Sequence, residues 1–146
     1  MRHLLAPLRE LAPDEPTSSR GALAAWATAV CSASEACVLL DSNAAVAAAS
    51  PAFADLIGVP LMELAGARLF ETVLRVLDFN GGLPVPAEEV SRIPPLLALS
   101  AGALARSLLR VRRPDGACLT LDAVSSPLHT VSDGGVQGSV TFLHRI

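Results

Sequence analysis

Lysine and tyrosine are absent from this chain of 146 residues. All 11 basic residues are arginine, against 14 acidic ones, and the formal net charge is -3. A nucleic-acid-binding domain needs a basic face to neutralise phosphates, so that class has no electrostatic support. Arg106, Arg110, Arg112 and Arg113 lie close together in sequence and read as a solvated strand face. Aromatics are scarce, with one Trp and four Phe, which argues against a base-stacking surface. Charged residues are 17%, below the usual ~25%. Cysteine is limited to Cys31, Cys37 and Cys118, with no Cys-x-x-Cys pair. Reduced thiols in a cytoplasm are the expectation, and a zinc or iron–sulfur site lacks the ligand count. No apolar run reaches the ~20 residues that span a bilayer. The opening MRHLLAPLRELAPDEP carries acids and prolines where a secretory signal is apolar.

What is present is an apolar half: 51% of the residues are hydrophobic, enough for one domain with a real core. Residues 1–18 read as an arm or linker, interrupted by Pro7, Pro13 and Pro16. Residues 19–34 are alanine-rich and predict a helix. Leu23, Trp26, Ala27 and Val30 are spaced three and four apart and form one stripe. The opposite side is nearly uncharged too, so this helix is expected to cover its own domain and also a second subunit.

Ala36–Leu40 and Ala44–Ala49 predict two short strands around the turn Asp41-Ser42-Asn43. Alanine is a poor strand former, so the second rests on its hairpin context. SPAFADLIGVPLMELAG, residues 50–66, gives two very short helices broken by Gly58 and Pro60. Glu71–Leu77 (ETVLRVL) predicts a further helix, with Phe70, Val73, Leu74 and Leu77 as its buried face. Pro94-Pro95 starts a short helix that Gly102 ends. The last third alternates cleanly. SLLRVRR, the turn Pro114-Asp115-Gly116, ACLTLDAVSSPL, a second turn at 132–135 and VQGSVTFLHRI predict a three-stranded meander. The whole is an α+β domain with one five-stranded antiparallel sheet and a block of short helices on one face.

That order, with several local motifs, resembles the PAS domain family of signalling sensor modules over roughly residues 35–146. Residues 36–66 resemble the family's opening strand, turn, second strand and first helices. RVRRPDGACLTLDAVSSPL, then Asp133-Gly134 followed by Gly138 and Val140, resembles its closing strands. GLPVPAEEVSRIPPLLALSAG resembles a proline-punctuated connector of bacterial members. Three positions depart from the pattern. Ser50 stands where the family often has Asn, Asn43 stands where Gly usually closes the first turn, and Arg145 stands where many members carry Asp before a signalling helix.

The resemblance implies a cytoplasmic, non-enzymatic bacterial sensor or dimerisation module. It implies a pocket between sheet and helices for a small apolar ligand, a homodimer, and an effector domain or separate signalling partner. Haem needs an axial ligand, and no His lies between residues 4 and 128. Covalent flavin members carry a Cys-bearing helix motif, and no Cys lies between residues 38 and 117. No cofactor and no metal is therefore expected. The candidate pocket lining is Leu56, Ile57, Phe70, Val73, Leu74, Leu77, Leu96, Leu99, Leu109, Val111, Leu121 and Phe142. The candidate dimer face is Leu23, Trp26, Ala27 and Val30. Two other readings stay open: a ligand-free interaction module, and a small enzyme for which Asp78, Asp122 and His129 are the nominees for acid or base.

Overall fold

The computed structural model describes residues 19–146; the arm at 1–18 lies outside them. Helix α1, Ser19–Cys31, is followed by strands β1, Cys37–Asp41, and β2, Val46–Ala49. Helix α2, Pro51–Ile57, a 3₁₀ turn, Leu61–Glu63, and a π turn, Leu69–Val73, come next. Then follow strand β3, Arg75–Leu77, and helices α3, Ala87–Val90, and α4, Pro94–Ala101. Strands β4, Ala105–Arg112, β5, Cys118–His129, and β6, Val136–Arg145, close the chain.

All the strand pairs are antiparallel, in the order β2-β1-β6-β5-β4-β3. The sheet thus has six strands where the sequence predicts five. The difference is the segment ETVLRVL. Leu69–Val73 makes one π turn, and Leu74 then turns extended (φ -114, ψ 141). Arg75–Leu77 pairs with Arg110–Arg112 at the edge of β4. The β-branched Val76 fits a pleated surface, and the open edge of β4 supplies the backbone partners that a short helix would have to find internally.

Strand alternation sorts the core into two layers. Val38, Leu40, Leu109, Val111, Leu119, Leu121, Ala123 and Leu143 face the helical block with Phe53, Ile57, Leu64 and Leu69. Cys37, Leu39 and Val140 face outward, where Val30, Leu23 and Ala27 of α1 cover them. The alanine strand expected at 44–49 forms over Val46–Ala49, and its thinness serves both layers. Ala48 packs under α1 and Ala49 packs against Phe53. Gly138 lets α1 and the backbone of β1 approach together: a Cβ there would sit 2.5 Å from the Leu40 carbonyl oxygen and 3.1 Å from Leu23 Cδ1.

Both edges of the sheet are covered. Val46 of β2 exchanges backbone hydrogen bonds with the loop at Gly66 and Ala67. β3 is met by the returning loop, through Val85 N–H to the Val76 carbonyl and Asp78 N–H to the Leu83 carbonyl. Ser50 joins sheet to helix. Its buried hydroxyl donates to the Glu35 carbonyl at 2.7 Å and accepts from the N–H groups of Cys37 at 3.0 Å and Phe53 at 3.2 Å. It is therefore at once the N-cap of α2 and a clamp on the start of β1. At the other end of α2, Gly58 has φ 73. The Arg113 guanidinium lies over it, with Nη1 3.5 Å from the Leu56 carbonyl and Nη2 3.0 Å from Asp115. That contact fixes the β4–β5 turn to the helical block.

Candidate functional site

The centre of the concave sheet face is filled. Helix α4 lies on it with Pro94, Pro95 and Ala98 buried, facing Ser125, Ser139 and Thr141, all fully buried. Small residues on both sides allow this close approach. The polar atoms are satisfied locally: Ser125 and Thr141 hydroxyls meet at 2.6 Å, and Ser139 donates to the Pro95 carbonyl at 3.0 Å. A buried hydroxyl left without such a partner would be costly.

Open space lies to the side of this centre, among the helical elements, and in more open hollows beside Ala36, Leu56 and Leu143 and beside Ala33 and Phe142. A cleft of about 460 Å³ is lined by Leu69, Phe70, Val85, Val90 and Leu96, with Ala44, Ala87 and Ser91 at its sides and Arg68 and Glu71 at its rim. Past Ala44, Ser91 and Leu96 it continues into a shallower depression of about 520 Å³ bounded by Asn43, Arg92, Leu97 and Leu99. The volume suits a small organic molecule. Arg68 and Glu71 are 3.6 Å apart, both largely in solvent, so this pair holds the rim only weakly. Ala44 stands in the left-handed region at φ 65, since Asp41 Oδ1 accepts the N–H groups of Asn43 and Ala45 and tightens the turn.

The predicted lining divides. Phe70 and Leu96 line the cleft, and Leu99 lines its extension. Ile57, Leu74, Leu109, Val111 and Leu121 are core, with Leu56 and Val73 packed against it. Leu77 is buried on β3. Phe142 belongs elsewhere: it alternates with Thr141 and Leu143, so it points to the outer face, 36% exposed, beside Ala33, Ser34 and Glu35. Sequence reasoning missed Leu69, Val85 and Val90. Leu69 opens the π turn, and Val85 and Val90 lie in the proline-punctuated connector, where no strand or helix stripe marks a face. The proposed dimer stripe also divides. Val30 is buried, Leu23 and Ala27 pack with it on the sheet, and Trp26 points away, 41% exposed.

The candidate acid–base residues are engaged structurally. Asp78 accepts the N–H groups of Gly81 and Gly82, and His129 Nδ1 lies 3.0 Å from the Gly134 carbonyl. Asp122 binds Arg106 through two hydrogen bonds of 3.1 and 2.7 Å, and that bonding holds its carboxyl below the ordinary range. Burial pushes the Cys37 thiol up. Among the described residues no group of three or more His, Cys, Asp or Glu is placed to hold a metal ion. No helix among them is long and apolar enough to cross a membrane.

No family model matches the chain, and no curated protein matches it at a significant level. Solved structures do. The chain is similar to a PAS domain of a protein from Colwellia psychrerythraea, at 15% identity and TM-score 0.62, over 86% of this chain and 97% of that one. A PAS domain of an HTR-like protein from Haloarcula marismortui aligns over 100% of both chains at 14% identity and TM-score 0.57. A light-oxygen-voltage domain studied with a flavin analogue aligns at 19% identity and TM-score 0.61, over 84% of each chain.

Proposed function

Starting from the PAS fold that this chain has, we propose that it is a non-catalytic sensory module that takes a small, largely apolar ligand in the cleft beside Phe70 and Leu96. The observation that carries this reading is the contrast between a filled sheet face and an open cleft. Interiors pack densely, so an apolar hollow kept open among the helices marks a binding site. The ligand favours one arrangement of the helical block, and a partner or second copy reads it.

The light-oxygen-voltage neighbours raise flavin as an alternative. What speaks against a cysteine-bonded flavin is alternation: Cys37 and Cys118 are on the outer side of the sheet, and Cys31 is on α1. His129 and His144 stand on the closing strands, away from the cleft lining, which speaks against haem. What speaks against enzymatic chemistry is that the three nominees, Asp78, Asp122 and His129, are each held by a structural partner.

Native mass spectrometry of protein purified without denaturation tests the ligand. A bound mass in the wild type, lost when Val90→Trp fills the cleft, is the expected result. A clean unliganded mass, with no thermal shift from a panel of apolar probes, overturns the ligand and leaves an interaction module. Association is tested by sedimentation of Trp26→Arg. The exposed indole is proposed to sit between subunits, so the variant sediments as a monomer; a variant that stays dimeric refutes this face.

A further inference from the structure

Away from the cleft, one arrangement has no explanation among the described residues. Arg75 of β3 stands directly opposite Arg112 of β4. Their neighbours Val76 and Val111 point into the core, so both guanidinium groups leave the sheet on its outer face. Side chains directly opposed on antiparallel strands start about 4.5–5.5 Å apart, and like charges there are unfavourable. Arg110 follows on the same face and binds only the neutral Thr120 hydroxyl, at 3.2 Å. Among the described residues no acidic side chain forms an ion pair with any of the three. Asp122, the acid on this face of β5, is already taken by Arg106. Helix α1 covers the same face only at the opposite end of the sheet, on β1 and β2, and Leu108, next to Arg110 on this face, is 50% exposed. In a chain of net charge -3, the described residues thus gather at one corner three positive charges that none of their acidic side chains pairs with.

We propose that this corner docks an acidic, extended segment of a protein partner. Arg110 and Arg112 are about 6.8 Å apart along β4, the spacing of alternate residues in an extended peptide. Carboxylates at alternate positions therefore meet them in register. Arg75 brings a second guanidinium to the partner carboxylate that meets Arg112, and the planar fork of each suits paired hydrogen bonds to carboxylate oxygens. Docking also relieves the Arg75–Arg112 repulsion. Nucleic acid fits the corner less well, because three arginines on an acidic chain neutralise few phosphates.

The test uses the full chain and a fluorescein-labelled peptide of alternating Glu and Ser, read by anisotropy at low ionic strength. The wild type binds it saturably, and the peptide raises the melting temperature. Arg75→Gln combined with Arg112→Gln binds about tenfold more weakly, since each exposed charge contact carries roughly a threefold factor in affinity. That variant removes a repulsion, so its melting temperature is at least that of the wild type, which separates lost binding from lost folding. Arg145→Gln, on β6 two strands away and, like Leu143, on the opposite face of the sheet, leaves binding unchanged. Equal binding by the double variant overturns the proposal. So does equal binding of a Lys-Ser peptide, or tighter binding of a single-stranded oligonucleotide that the double variant loses. A dimer that dissolves in the double variant overturns it as well, by giving the corner to a second copy.

Discussion

Replacing Ser50 with alanine removes one oxygen from a fully buried site and unmakes three hydrogen bonds at once. The Glu35 carbonyl that it releases lies at an exposed residue, where water replaces the donor at little cost. The other two losses are paid in full. Phe53 N–H loses its N-cap acceptor, which costs about 1 kcal/mol. Cys37 N–H is left unbonded at the start of a buried strand, which costs about 1–3 kcal/mol. The sum is about 2–4 kcal/mol, against a total stability of about 5–15 kcal/mol for a domain. At roughly 3 °C per kcal/mol for this chain length, the melting temperature falls by about 6–12 °C. Thermal melting and urea unfolding, followed by circular dichroism, measure it. Ser100→Ala is the matched control: its hydroxyl donates to the Leu97 carbonyl at 3.3 Å on the exposed side of the last turn of α4, and its loss stays within about 0.5 kcal/mol. If Ser50→Ala is as mild as Ser100→Ala, the clamp between β1 and α2 does not exist as described.

Gly138→Ala drives a Cβ against the Leu40 carbonyl oxygen and is expected to cost about 1–3 kcal/mol in urea unfolding, with α1 released first in hydrogen exchange. Ala44→Gly relieves a left-handed alanine; the relief of about 1–2 kcal/mol exceeds the added unfolded-state entropy of about 0.4–1 kcal/mol, so this variant melts higher than the wild type. Asp122 is held below its ordinary value by Arg106. Its contribution is therefore complete above the unfolded value of ~3.9 and is lost as pH falls through the lower folded value. Melting temperatures followed into acid drop more steeply for the wild type than for Arg106→Gln. Cys31 and Cys118 are exposed and Cys37 is buried with a raised thiol, so a thiol reagent at neutral pH labels two cysteines in the native protein and the third only on unfolding.

The meander of β4, β5 and β6 was legible because period-two alternation carries face, register and turn together: Leu109, Val111, Leu119 and Leu121 all face inward as their spacing requires. β3 was not. Val73, Leu74 and Leu77 fit a helical stripe as well as a strand, and only the free edge of β4 decides between them. Phe142 was misplaced for a related reason. Hydrophobicity alone put it in the core, whereas its register opposite Cys37 and Val124 puts it on the outer face. The cleft was half legible. Phe70 and Leu96 belong to recognisable apolar pieces, but Val85 and Val90 come from an irregular loop and a single helical turn, which have no periodicity to read.

The sheet order has a consequence in time. β1 finds its second neighbour only in β6, with Cys37 opposite Phe142. Loop closure over such a distance makes this pairing slow. During synthesis, roughly 100 residues must follow β1 before its partner exists, which at about 5–20 residues per second is a wait of about 5–20 s. Through that interval Val38, Leu39 and Leu40 have one strand of alanines beside them and an unpaired edge on the other side. The first hairpin made is thus the last part of the sheet to be sealed, and the nascent chain is most exposed to wrong partners just before Arg145 emerges.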